Sequence, residues 1–150
     1  YQDRLDTLKI AKYAGMSLCA GGIFGIGETW EDRIDMGLTL RDEVQPDVTP
    51  LNFLTPIPGT PLADAEPLAA REILNIIAIY RLMLPTTDIK IAGGREINLR
   101  YLQSWIFYAG ATSMLVGNYL TTAGRSVDDD LAMINDLGMQ IVDDSCRAEH

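Results

Sequence analysis

Cysteine is scarce in this chain, which holds only Cys19 and Cys146 among its 150 residues. That excludes a small secreted scaffold stapled by disulfides, and it suits a reducing cytoplasm in which thiols stay free. Basic residues are also few. Twelve Lys and Arg stand against 21 Asp and Glu, a net charge of -9, whereas a protein that grips nucleic acid needs clustered cations to meet the phosphates. No apolar run approaches the ~20 residues of a membrane span, and no basic start with an apolar centre suggests a secretory leader at Tyr1. Nucleic acid and membrane are therefore not expected partners. A dinucleotide fingerprint is missing too, because the last glycine of G-x-G-x-x-G would fall where Trp30 stands.

What is present is an apolar share of 47%, enough for one ordinary globular core. Leu5, Leu8 and Ala11 share one face of an opening helix that Gly15 can stop. Residues 18–26 form an apolar run broken by Gly21, Gly22, Gly25 and Gly27, as a buried strand ending in a tight turn would be. Thr29 and Asp32 have capping-box spacing, and Trp30, Ile34 and Leu38 then recur at helical intervals until Pro46 forbids continuation. Residues 48–54 read as the next strand, and the prolines at 56, 58 and 61 as a stiff irregular loop. The stretch 67–84 places Ile73, Ile76, Ile77, Tyr80 and Leu84 on one stripe. A brief strand at 89–92 closes on Gly93 and Gly94, and Leu99, Leu102, Trp105, Ile106 and Ala109 mark another helix. A strand at 113–116 and a helix capped by Ser126 and Asp129, with Leu131, Ile134 and Leu137 inward and Gly138 at its end, complete the pattern. The polar residues 143–150 read as a flexible tail.

Strand followed by helix, four times over, predicts an α/β fold: four parallel strands with flanking helices, joined by right-handed crossovers. Four such units make half of a (β/α)8 barrel.

The strand-end motifs, in their order, carry a resemblance. The opening Tyr1-Gln2-Asp3-Arg4-Leu5-Asp6-Thr7-Leu8, the run from Cys19 to Thr29 (Cys-Ala-Gly-Gly-Ile-Phe-Gly-Ile-Gly-Glu-Thr), Pro50-Leu51-Asn52-Phe53-Leu54 with Gly59-Thr60-Pro61-Leu62, and Ala92-Gly93-Gly94-Arg95-Glu96 closely resemble the biotin synthases, from the first residue to about Val142. Each motif alone is weak, and the four together are specific. The resemblance implies that residues 1–142 are the C-terminal half of a radical S-adenosylmethionine barrel, strands five to eight of the parent, including the C-terminal region associated with biotin and thiamin synthesis. It implies an enzyme that inserts sulfur into dethiobiotin, in which a [4Fe-4S] cluster reduces S-adenosylmethionine and a [2Fe-2S] cluster supplies the sulfur.

Carried over residue by residue, the resemblance makes Cys19 and Arg95 two of the [2Fe-2S] ligands. Ile23, Gly25 and Glu28 become the S-adenosylmethionine contacts on the glycine-rich motif, and Asn52 a contact to the ureido group of the substrate. Without it, Cys19 reads as a small buried hydrophobe, Arg95 as a surface arginine paired with Glu96, and Asn52 as an amide satisfied by backbone. A guanidinium is a poor ligand, being protonated and without a lone pair. Cys19 and Arg95 both follow strands and are expected together at the C-terminal face of the barrel. No Cys-x3-Cys-x2-Cys loop occurs in these 150 residues, so the chain alone is expected to be inactive, with the missing N-terminal half of the barrel as its partner and a homo-oligomer as its state. Related radical enzymes, of the hydrogenase maturase or methylornithine synthase kind, and a non-catalytic half-barrel module are the competing readings.

Overall fold

The computed structural model describes residues 1–119 and 123–142, so Cys146 and the expected tail at 143–150 lie outside the described residues. The chain divides into two compact units, Tyr1–Leu115 and Val116–His150. The first contains helix α1 (Gln2–Tyr13), strand β1 (Gly22–Phe24), helix α2 (Trp30–Thr39), strand β2 (Val48–Phe53), helix α3 (Ala70–Met83), strand β3 (Asp88–Ile91), the short helices α4 (Arg95–Leu99) and α5 (Trp105–Ala109), and strand β4 (Ser113–Met114). The four strands are parallel and lie in the order β1-β2-β3-β4. Strictly sequential order matters physically. If every crossover has the same hand, every connecting helix lands on the same side of the sheet, and the opposite side stays uncovered.

The core lies on the covered side. In β2 the alternate residues Thr49, Leu51 and Phe53 are buried, as are Ile89 and Ile91 of β3. They meet the stripe expected from the sequence, since Ile73, Ile76, Ile77 and Tyr80 of α3 and the following Leu84 are all buried. Phe24 stacks its edge against Tyr80 at 5.5 Å between centroids, an arrangement favoured by the ring quadrupoles.

Several boundaries differ from the sequence reading, each for a local reason. Strand β1 shrinks to three residues preceded by an isolated bridge between Cys19 and Val48. Between them the ladder meets Pro50, which has no N–H to donate, and a Cβ on Gly21 would collide with the Pro50 carbonyl. Helix α2 has the expected capping box, with Thr29 Oγ1 accepting from Asp32 N at 3.2 Å and Asp32 Oδ2 from Thr29 N at 2.8 Å. It continues as one wider π turn over Leu40–Val44 and stops at left-handed Gln45, φ 50°. Its buried face, however, is Arg33, Gly37, Leu40 and Val44, while Trp30 and Ile34 are exposed. Helix α3 starts at Ala70, leaving Pro67 in the loop before it. The single helix expected around 99–109 is two helices separated at Arg100, φ 50°.

The second unit holds helix α6 (Val127–Asp136), whose N-cap Ser126 accepts from Asp129 N at 3.1 Å. Its expected inward stripe is only part-buried, with Leu131 exposed, and the buried residue is Asp130, 3.6 Å from Arg125. No helix among the described residues is long and apolar enough to cross a membrane.

Candidate functional site

The uncovered side of the sheet carries the candidate residues in rows. Leu18 and Phe24 point into the core, whereas Cys19 and Ile23 between them are exposed. Register places Ile23 beside Asn52, and Lys90 between Pro50 and Ser113. Ile23, 53% exposed, therefore presents an apolar side chain at the carboxyl end of β1, next to an amide.

Beyond Ile23 the chain turns through Gly25 and Gly27, at φ 87° and 103°, values open to glycine without strain. The carboxylate of Glu28 folds back into this turn. It accepts from Gly25 N at 2.8 and 3.0 Å and from Ile26 N at 2.8 Å, and Arg33 Nε donates to it at 2.8 Å. Burial opposes the charge on Glu28, but the amides of Gly25, Glu28 and Ile26 together with Arg33 outweigh it and hold the carboxyl below its ordinary range. A glycine-rich turn with converging amides is elsewhere a cradle for phosphate. Here those amides are taken by the chain's own carboxylate, so the turn shapes the site and Glu28 faces its own loop.

The sign of the resulting pH dependence follows directly. Glu28, and Asp47 where its Oδ2 accepts from Leu18 N at 2.7 Å, have folded pKa values lowered from 4.5 and 3.8. Their contribution is present above those values and lost as pH falls through the still lower folded ones. Urea midpoints should be flat from pH 7 to about 5 and decline below that, and Glu28→Gln should flatten part of the decline. A midpoint that rises on acidification contradicts this assignment.

Asn52 is satisfied by backbone, though not by the proline-rich loop. Its Nδ2 donates to Gly22 O at 3.2 Å and its Oδ1 accepts from Gly93 N at 3.0 Å, tying β1 and the turn after β3 to β2. One donor and one acceptor of the amide remain, the pair that a urea-type group presents in complementary form.

Cys19 and Arg95, expected together, are placed differently. Cys19 is exposed but pairs with Val48, the first residue of β2. It sits four residues before Ile23, ~13 Å lower at the ~3.3 Å rise of a parallel strand, toward the amino end of the sheet. Arg95 is fully buried after β3, where its guanidinium donates to Gln103 Oε1 and, at 3.2 Å, to Leu115 O, with Glu96 at 3.3 Å. The cation that shares the face of Cys19 is Lys90, whose neighbours Ile89 and Ile91 are buried on the other side. The sequence reading missed it, although the alternation of apolar and charged residues in 88–91 was the signal. Among the described residues no group of three or more His, Cys, Asp or Glu could hold a metal ion.

Comparison with known proteins bears on the family and on the fold. The family model described as the Biotin and Thiamin Synthesis associated domain matches residues 50–140. Curated relatives named biotin synthase include one from Syntrophotalea carbinolica, 55% identical over 93% of this chain and 42% of its own length. Another, from Geobacter sulfurreducens, is 53% identical over 94% of this chain and 43% of its own. The chain thus spans less than half the length of these relatives. A solved structure of methylornithine synthase superposes on 95% of this chain and 46% of its own, with a TM-score of 0.74 at 23% identity, which bears on the fold: four parallel strands and their helices are about half of that molecule. With more than half of its residues matched, this chain belongs to the Biotin and Thiamin Synthesis associated domain family, alongside the biotin synthases.

Proposed function

We propose that this chain forms the C-terminal half of a biotin synthase barrel, and that the longer protein inserts sulfur into dethiobiotin by radical S-adenosylmethionine chemistry. The observation that supports this reading most is the uncovered sheet face, which gathers an apolar contact, an amide with spare hydrogen-bonding capacity and a thiol. Ile23 packs the adenine at the carboxyl end of β1. Gly25 permits the turn, and Glu28 holds it. Asn52 orients the ureido group while its backbone bonds keep the amide from rotating. Cys19 is an accessible thiol lower on the same face, fitted to be one ligand of a [2Fe-2S] cluster. Arg95 is the other ligand position that the resemblance implies; its enclosed guanidinium donates to Gln103 and Leu115, which holds it at the ends of β3 and β4. Bound in the longer protein, a [4Fe-4S] cluster would supply the electron that cleaves S-adenosylmethionine, and the [2Fe-2S] cluster the sulfur.

The N-terminal half of the barrel is the natural cover for the open face, and in its absence a second copy of the chain is the cheapest substitute. The functional test uses the longer protein reconstituted anaerobically with iron and sulfide. Cys19→Ser should remove the visible absorbance of the [2Fe-2S] cluster and leave the other cluster able to cleave S-adenosylmethionine. The 150-residue chain alone should release no deoxyadenosine. Two intact cluster spectra in the variant, or turnover by the chain alone, would overturn the proposal.

A further inference from the structure

Arg33 is a charged residue on the buried face of α2, and its burial needs an explanation. It is 5% exposed on α2, yet it makes two ion pairs: Nε with Glu28 at 2.8 Å and Nη1 with Glu72 of α3 at 2.6 Å. The indole of Trp30 lies 4.7 Å from the guanidinium carbon, and Tyr80 donates its hydroxyl to the Arg33 carbonyl at 2.8 Å. Burial opposes the charge, but the two carboxylates more than restore it, so Arg33 is held more firmly protonated than usual. Burying a charge is costly unless it is paired and its donors are satisfied. Apolar residues in place of all three charged partners would avoid that cost, so the arginine has to be read by what its two partners do.

Those partners do different things. Glu28 belongs to the turn after β1, where it occupies the amides of Gly25 and Ile26, while Glu72 belongs to the first turn of α3, on the far side of the β2 crossover. The guanidinium is a planar fork able to hold two carboxylates at fixed angles. We infer that Arg33 is a positioning residue: it locks the Glu28-cinched turn to α3, and so fixes the height and direction of Ile23 and Gly25 against the adenosyl group of S-adenosylmethionine. It touches no ligand itself. Its effect reaches the site through Glu28, and Glu72 sets how rigid that anchor is.

The inference rests on the reading of the turn as the S-adenosylmethionine contact, and its test separates the two. In the longer protein, Arg33→Met should raise the KM for S-adenosylmethionine about tenfold or more, since small misplacements of a binding turn are amplified in this way. The KM for dethiobiotin should move less than twofold. Arg33→Lys offers one point charge in place of a fork, so it should rescue part of the loss, and Glu72→Gln, which keeps the Glu28 arm, should show a smaller rise. Amide hydrogen exchange at Gly25 and Ile26 reads the turn independently of the chemistry. Both should exchange at least about tenfold faster in Arg33→Met, while the ladder amide of Ala20, bonded to Val48 at 3.0 Å, stays protected. Unchanged exchange at Gly25 and Ile26, in a variant that keeps its helical circular dichroism, overturns the clamp. Faster exchange with an unchanged KM for S-adenosylmethionine overturns the link to that ligand. If Arg33→Met does not fold, the same two readouts in Arg33→Lys and Glu72→Gln decide.

Discussion

Gly94→Ala is expected to cost about 3–5 kcal/mol, a large part of the stability of an ordinary domain. Two separate penalties add. Gly94 has φ 84°, where an L side chain is strained by ~1–2 kcal/mol. A Cβ there would also overlap the carbonyl oxygen of Phe53, and nearly reach the Asn98 amide at 3.1 Å. Neither neighbour can yield cheaply. Phe53 is in the ladder, its N–H bonded to Gly93 O at 2.9 Å, and Asn98 Nδ2 is bonded to Leu54 O and Gly94 O at 3.1 and 2.8 Å. The control is Gly15→Ala, since Gly15 has φ 78° with nothing within 4 Å of its would-be Cβ. That variant should lose only the backbone share, ~1–2 kcal/mol. Urea unfolding of both compares them, and equal losses would show that the close approach of Gly94 to β2 is absent.

Gly94 also marks where sequence reasoning stops. Gly93 and Gly94 were legible as a turn after β3, because glycine pairs punctuate strands. That the second glycine is pressed against a carbonyl of β2 depends on a packing distance that no local pattern encodes. The stripe of α3 was fully legible, since five apolar residues at helical spacing leave one face to bury. In α2 two faces compete. Trp30, Ile34 and Leu38 form the more apolar one, and the structure buries Arg33 and Gly37 instead. Gly37 lets the side chains of Tyr80 and Met83 come close, and Glu72, far along the chain, makes the buried arginine tolerable. Neither fact can be read within the helix itself. The depth of Cys19 was hidden for a similar reason: position in a strand follows from register, and register here is set by pairing to Val48. Lys90, by contrast, was available from alternation alone.

The assignment of faces can be tested on two adjacent residues of β1. Phe24 is 1% exposed and packs against Phe53, with ring centroids 6.0 Å apart, and against Tyr80. Removing it leaves a cavity between the sheet and α3 that the surrounding β-ladder cannot collapse to fill. Phe24→Ala should therefore cost ~3–5 kcal/mol. Ile23, one residue earlier, points to the uncovered side and already has more than half of its side chain in water in this chain. Ile23→Ala should change the stability of the isolated chain, measured at a dilution at which it is monomeric, by no more than about 0.5 kcal/mol. In the longer protein the ranking changes. There, on the proposed reading, the same face lines the interior of the barrel, and Ile23→Ala removes apolar contact area from the proposed adenine site, worth about 25 cal/mol per Å². It should raise the KM for S-adenosylmethionine while Phe24→Ala acts mainly through the amount of folded protein. Urea midpoints of the isolated chain, read beside initial rates of the longer protein, separate the two effects. If Ile23→Ala costs the isolated chain as much as Phe24→Ala does, the two faces of β1 have been assigned the wrong way round, and every residue placed on the open side, Cys19, Asn52 and Lys90 included, must be moved with it.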